Sequence, residues 1–170
     1  MGIRREAREK ALQFLFQHDL NPAESLDEAL RHFWDAQRLS ASGYEAGKAT
    51  WGVPLEIPPP DTRETSMRLF AEPLIRGVIE HREDLDGKLR QYTRNWDLKR
   101  MAVVDRNVMR LAVYELFYRD DIPPVVTLNE AIEIAKRFST RDSGRFVNGI
   151  LDRIRQDVLR PSRTPVRDKP

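Results

Sequence analysis

The chain has no cysteine among its 170 residues. This absence excludes disulfides, thiolate nucleophiles and cysteine-ligated metal sites, and it fits a protein of the reducing cytoplasm. No apolar run approaches the roughly 20 residues that are needed to cross a bilayer, and the N-terminus has no apolar stretch typical of a secretory signal. The sequence therefore predicts a cytoplasmic protein without membrane association.

Motifs for catalysis and for cofactor binding are also missing. The three histidines, His18, His32 and His81, fall in separate predicted helices and lack the HxxxH or HExxH spacing of a zinc site. The sequence has neither a GxxxxGK[ST] nor a GxGxxG phosphate loop, and it has no serine nucleophile motif. Its acids are dispersed as helix-surface charges. We expect a protein that is not an enzyme and that holds no cofactor or metal.

The excess of positive charge is small and uneven. The net charge is +2 and the pI is about 9.0. Residues 153–170 carry six basic and two acidic side chains, so the rest of the chain is slightly acidic. Any affinity for RNA must therefore come from local basic patches rather than from the whole surface.

Apolar residues recur at helical spacing through most of the chain, and no segment alternates as a strand would. The pattern predicts an all-α fold of about seven helices in a single domain over residues 1–160. Residues 40–60 contain several prolines and glycines without periodicity, which predicts a flexible loop. The basic, proline-containing residues 161–170 are typical of a disordered tail. Predicted helices span about 4–18, 25–37, 82–94 and 104–118, with a short helical piece at 98–102. The third helix is predicted to begin near residue 61, and the last two helices lie on either side of a polar turn at 139–143.

Several predicted helix boundaries depend on capping residues. Ser25, Asp61 and Asp97 each stand where a side-chain oxygen can accept the first free N–H groups of a helix. Thr127 and Glu130 have the spacing of a capping box after the Pro123-Pro124 break. Asp142 and Ser143 are expected to precede the last helix as caps, and Pro73 predicts a kink or a break in the third helix.

Basic and aromatic side chains supply the candidates for binding. The start of the first helix contains Arg4, Arg5 and Arg8. Positive charge at this position opposes the helix macrodipole, which indicates an anionic partner. A solvated helix end is the alternative. Such groups bind single-stranded RNA when aromatic side chains stack on bases nearby. The aromatic candidates are Phe16, Tyr92 and Phe146, with Asp142 as a polar neighbour. For Phe16 and Phe146 a core position is the alternative, and for Asp142 the alternative is capping.

Three segments together resemble the bacterial transcription antitermination factor family NusB: RREAREKALQFLF, VVDRNVMRLAVYEL and the NEAIEIAKRFST–RDSGRFVNGILD stretch. They cover most of residues 4–155 in the order of the family. The resemblance implies one domain of two packed three-helix groups. It also implies binding to single-stranded boxA RNA of ribosomal RNA leaders, in a heterodimer with the small-subunit ribosomal protein NusE.

The resemblance also implies roles for particular residues. The arginine-rich first helix and the aromatics Phe16, Tyr92 and Phe146 would contact RNA; Phe16 stands where a tyrosine is expected, so a hydroxyl contact would be lost. The NusE contact would lie around the fifth helix, with Asp105 and Glu115 facing the basic ribosomal protein. For Asp105, pairing with a neighbouring arginine or simple solvation is the alternative.

The mechanism implied by the resemblance is scaffolding. The heterodimer would capture boxA RNA and tether it to elongating RNA polymerase through further Nus factors, and without NusE its apolar face could pair in a homodimer. Two alternatives remain open. One is an RNA-binding module related to the N-terminal domain of ribosomal RNA cytosine methyltransferases, whose catalytic domain we do not expect here. The other is a helical protein–protein adaptor without an RNA role.

Overall fold

The computed structural model describes residues 2–43, 52 and 54–159. All regular structure in this part of the chain is helical, which confirms the predicted all-α fold. Most of the predicted 40–60 loop and the 161–170 tail lie outside the described residues. None of the described helices is long and apolar enough to cross a membrane. The seven α-helices are α1 (Ile3–Leu20), α2 (Leu26–Ala41), α3 (Thr62–Glu80), α4 (Arg82–Tyr92), α5 (Val103–Tyr118), α6 (Pro124–Phe138) and α7 (Arg141–Leu159), and a single 3-10 turn spans Leu98–Arg100.

The first compact unit, Met1–Glu80, contains α1, α2 and α3. Helix α1 packs along α3, and the edge of the Phe14 ring meets the Phe33 ring of α2 at 5.5 Å between centroids. Ser25 Oγ accepts the Glu28 N–H at 3.3 Å, and Asp61 Oδ1 accepts the Glu64 N–H at 2.7 Å. These two bonds confirm both predicted caps of the unit.

Helix α3 continues through Pro73 without a break. Pro73 lies on the exposed face of the helix, whereas the next two residues, Leu74 and Ile75, are fully buried. Proline removes one backbone hydrogen bond from a helix interior. The burial of this apolar face offsets that loss, so of the predicted kink or break the break is wrong, and the kink stays a prediction.

The second compact unit, His81–Pro170, contains α4 to α7. Helix α5 contacts α4, α6 and α7, and it therefore lies at the centre of the unit. The Arg110 guanidinium of α5 donates two hydrogen bonds to the Asp86 carboxylate of α4, at 2.7 and 2.9 Å. The Lys99 N–H donates to Asp97 Oδ1 at 3.0 Å, which confirms Asp97 as the cap of the 3-10 turn.

Helix α6 begins one turn earlier than the predicted capping box. Pro124 occupies the first helical position, where its fixed φ suits a helix and its missing N–H is not needed. Thr127 therefore lies inside the helix, and its hydroxyl donates to Glu115 Oε1 of α5 at 3.1 Å. The capping-box prediction was wrong because the helix already begins at Pro124, so that Thr127 lies within it and not at its N-cap.

Helix α7 also begins earlier than predicted. Its first residue is Arg141, so Asp142 and Ser143 lie within the first turn and do not precede the helix. The cap is supplied by Thr140, whose Oγ1 accepts the Ser143 N–H at 3.2 Å. The Asp142 carboxylate instead places negative charge at the positive end of the helix dipole, which is favourable.

Candidate nucleic-acid interface

In the first unit, two of the predicted arginines share one aromatic surface. The Cζ atoms of Arg4 and Arg8 lie 5.4 and 4.9 Å from the centroid of the Phe70 ring of α3. A guanidinium at such a distance over a ring is attracted by the negative face of the π-system. Phe70 therefore holds both guanidinium groups on the side of α1 that packs against α3.

The three arginines differ in their access to solvent. Arg4 is exposed and Arg5 is half-buried, whereas only 4% of Arg8 is exposed. Arg8 and Arg5 both have further interactions within the protein. The sequence argument treated the three as equivalent surface charges, but the geometry makes Arg4 the most accessible and Arg8 largely a packing residue.

Phe16 lies on α1 two turns beyond Arg8 and is half-buried. This spacing puts it about 12 Å further along the helix axis. Phe16 is therefore neither a fully buried core residue nor a fully exposed surface residue. A face of the ring remains accessible on the same helix as the arginines.

In the second unit, Tyr92 ends α4 and its hydroxyl donates a hydrogen bond to Asp157 of α7. Burial raises the pKa of the Tyr92 hydroxyl, and the hydrogen bond to Asp157 raises it further. The bond fixes the tyrosine ring between the two helices. The ring is half-buried, so part of its surface stays accessible.

Phe146 and Trp96 form an aromatic pair. Their ring centroids lie 4.8 Å apart with an angle of 54° between the planes. Phe146 is half-buried, whereas 60% of Trp96 is exposed, which is unusual for so large an apolar side chain. Asp142 lies four residues before Phe146 on α7, and such residues share a helix face. The structure thus brings Trp96 into the group that the sequence predicted.

A cavity of about 540 Å³ opens beside this pair. Tyr92 and Trp96 line it from the end of α4 and the following loop, and Arg153 and Asp157 line it from α7. The remaining lining residues of the second unit are polar or basic: Gln91, Thr93, Arg94, Asn95 and Gln156. Aromatic rings, guanidinium groups and amides therefore meet in one recess.

The predicted partner-facing acids lie in the interior of the second unit. Asp105 is 3% exposed and its carboxylate accepts the Ser139 hydroxyl, while Glu115 is 2% exposed and accepts the Thr127 hydroxyl. Each acid thus connects α5 to α6 or to the residue that ends it. This burial does not fit a carboxylate that faces a second protein, and it favours a positioning role instead.

The end of α5 and the start of α6 carry exposed apolar side chains. They are Phe117, Tyr118, Val125 and Val126. The Tyr118 hydroxyl donates to Asp84 Oδ2 of α4 at 2.5 Å, and its ring lies 4.2 Å from that of His81. We call these four residues the α5–α6 patch. Clusters of exposed apolar side chains are typical of protein-binding surfaces.

Three contributors to these surfaces were missed by sequence reasoning. They are Phe70, Trp96 and Arg153, none of which was among the predicted site residues. Only Trp96 could have been identified from the sequence. It lies between Asn95 and Asp97 in a polar loop and belongs to no apolar stripe of a predicted helix. Among residues 2–43, 52 and 54–159, no three His, Asp or Glu side chains cluster as metal ligands would.

Comparison with known proteins places the chain among relatives of similar length. The model of the NusB family matches residues 5–156. The transcription antitermination protein NusB of Geotalea daltonii is 46% identical over 156 residues, which cover 91% of this chain and 94% of that protein.

Solved structures give the same result. A solved structure of T. maritima NusB is 38% identical, with a TM-score of 0.65 and 91% of each chain covered. A structure of antitermination factors NusB and NusE in complex with dsRNA is 21% identical, with a TM-score of 0.66. The match covers 92% of this chain and 98% of that chain. At this identity the likeness supports the fold alone. Because the family model matches most of the chain and the relatives align along nearly their whole length, the chain belongs to the NusB family.

Proposed function

We propose that this protein is a transcription antitermination factor. It binds single-stranded boxA RNA of ribosomal RNA leaders together with NusE, and it tethers the RNA to elongating RNA polymerase through further Nus factors. The observation that carries the proposal is the alignment with proteins named transcription antitermination protein NusB along more than nine-tenths of their length. The protein acts in the cytoplasm as a scaffold, without catalysis and without a cofactor.

The basic end of α1 supplies phosphate contacts. Arg4 is the accessible member, and Phe70 limits the motion of its guanidinium, so less side-chain entropy is lost when a phosphate binds. Arg5 adds a second, half-buried charge. Arg8 contacts the same Phe70 ring and so helps to hold it in position.

The aromatic side chains Phe16, Tyr92 and Phe146 provide faces for unstacked bases. Stacking of a base on an aromatic ring contributes about 1–3 kcal/mol and tolerates any base, because every base has a π-face. Asp142, exposed one turn before Phe146, can accept a hydrogen bond from an exocyclic amino group and so add base preference.

NusE binds the α5–α6 patch in this proposal. The four exposed apolar side chains supply the desolvated centre that a protein interface requires. Asp105 and Glu115 act indirectly, because their hydrogen bonds to Ser139 and Thr127 hold α5 and α6 in register beneath the patch. In the absence of NusE the same patch can pair with a second copy of the chain.

The functional test is transcription in vitro with purified polymerase, Nus factors and NusE, on a template that carries boxA upstream of a terminator. Adding the protein should increase read-through, and a template with a scrambled boxA should show no increase. Absence of an effect on the boxA template would contradict the proposal. Binding to NusE without any RNA dependence would instead indicate the adaptor alternative.

A further inference from the structure

The cavity beside Trp96 has the composition of a nucleotide site. We propose that Trp96 and Arg153 bind one nucleotide of the single-stranded RNA, with Trp96 stacking on the base and Arg153 contacting a phosphate. This inference rests on the proposed function and adds two residues to it, neither of which was assigned a role in binding.

The position of Trp96 is the first argument. Trp96 is 60% exposed and lines the cavity, while its ring contacts that of Phe146 at 4.8 Å between centroids. Part of the indole therefore stays accessible to a planar ligand. Tryptophan offers the largest stacking surface among the side chains, and it loses little entropy on binding because it has only two side-chain torsions.

The cavity itself is the second argument. Its volume of about 540 Å³ lies within the 300–1,000 Å³ typical of small-molecule sites. Trp96 and Tyr92 form part of the wall, and the contact of the Trp96 ring with Phe146 restrains it before a ligand arrives. Preorganisation of this kind lowers the entropic cost of binding.

The charge of the lining is the third argument. Arg94 and Arg153 contribute two guanidinium groups, and Asp157 contributes one carboxylate, so the cavity is net positive. Because Asp157 accepts the Tyr92 hydroxyl, part of its negative charge is already satisfied. A guanidinium binds a phosphate with two parallel hydrogen bonds, whereas an apolar protein segment would leave both arginines without a partner. Nucleic acid therefore fits this cavity better than an apolar peptide does.

The test is the affinity of a fluorescently labelled single-stranded boxA RNA for the full chain, with NusE present and absent. Trp96→Ala should weaken binding by about five- to 100-fold, the range expected for one stacked base, and Trp96→Phe should retain most of the affinity. Arg153→Gln should reduce the slope of log K against log salt by about 0.7, the value for one phosphate contact on a single strand.

Arg155→Gln is the matched control, because it removes the same charge two residues further along α7 at a position that does not line the cavity. It should change affinity less than Arg153→Gln does. Quenching of tryptophan fluorescence by RNA gives an independent signal, which Trp96→Phe should abolish while Trp34 and Trp51 remain. Circular dichroism and urea unfolding of each variant confirm that it is folded.

The outcomes separate the inference from the proposed function. If the wild type binds RNA but Trp96→Ala and Arg153→Gln bind equally well, the nucleotide site is refuted and the proposed function stands. If Trp96→Ala loses affinity for NusE while RNA binding is unchanged, the cavity is a protein contact and the inference fails. If the wild type binds no single-stranded RNA under either condition, both are overturned.

Discussion

The Thr127 hydroxyl donates a hydrogen bond to Glu115 Oε1 at 3.1 Å, and both side chains are 2% exposed. This bond joins the first turn of α6 to the last part of α5, directly beneath the α5–α6 patch. A buried carboxylate that loses a donor retains its desolvation cost without compensation. The pair therefore links the stability of the second unit to the shape of its proposed NusE surface.

Replacing Thr127 by Val should destabilise the protein by about 1–3 kcal/mol, because it keeps the shape of the side chain and removes the donor. Thr127→Ser keeps the hydroxyl and should cost less. A double-mutant cycle with Glu115→Gln, read from urea unfolding, should give a clear interaction energy. Strict additivity of the two changes would show that the hydrogen bond is not a stabilising contact.

The buried ion pair between Arg110 and Asp86 predicts a larger effect. Asp86→Asn should remove the carboxylate that pairs with the buried Arg110 guanidinium, at a cost of about 3–5 kcal/mol. Asp84→Asn, two residues earlier on the same helix and exposed, should shift the unfolding midpoint far less. Equal midpoints for the two variants would mean that the Arg110–Asp86 pair contributes no more than a surface pair.

Removing arginines from the basic end of α1 should weaken RNA binding and reduce its dependence on salt. Arg4→Gln should lower the slope of log K against log salt by about 0.7 if one phosphate contact is lost, and the Arg4→Ala, Arg8→Ala double variant should lower affinity further. Because Arg8 packs on Phe70, its removal should also reduce stability, so helix content must be checked in parallel. Arg31→Gln, an exposed arginine of α2, is the control. Wild-type binding by the double variant would make this end of α1 a solvated helix terminus.

The raised pKa of Tyr92 predicts a dependence of stability on alkaline pH. Its pKa in the folded protein lies above the unfolded value of about 10, so the stabilisation is fully present below pH 10 and is lost as pH rises through the folded pKa. Tyr92→Phe should remove this contribution to the alkaline decline of the unfolding midpoint.

Asp157→Asn should bring the tyrosinate absorbance of Tyr92 to lower pH, because it removes the negative charge near the hydroxyl and leaves only a neutral amide oxygen as the hydrogen-bond acceptor. Asp152→Asn on the same helix should leave the titration unchanged. Identical titrations of the Asp157 and Asp152 variants would show that burial alone sets the pKa of Tyr92.

The parts of the fold that depend on local sequence were predictable. Helical periodicity predicted the helices, and Ser25, Asp61 and Asp97 cap them as expected, because a cap needs only a side chain and an N–H two or three residues away. The Thr127 capping box failed because α6 begins at Pro124, and the hydroxyl instead donates to Glu115, a contact that is distant in sequence. The same limit applied at Pro73, where burial of the neighbouring residues maintains the helix.

The candidate site, like the fold, was only partly predictable from the sequence. Basic and aromatic residues could be selected by type, but their environment depends on tertiary contacts. No local pattern indicates that Arg8 is buried on Phe70, or that Trp96 packs against Phe146. The burial of Asp105 and Glu115 was equally hidden, since acids on an amphipathic helix are usually solvated and these two are satisfied by hydroxyls on later elements.

The most direct measurement is the affinity of a labelled boxA single-stranded RNA for this protein, with and without NusE, at two salt concentrations. The account predicts sequence-selective binding that NusE tightens and that salt weakens, with a scrambled RNA bound less well in the presence of NusE. Failure of RNA binding under all four conditions would contradict the account, and failure of NusE binding as well would leave a helical protein whose family ancestry is not matched by its activity.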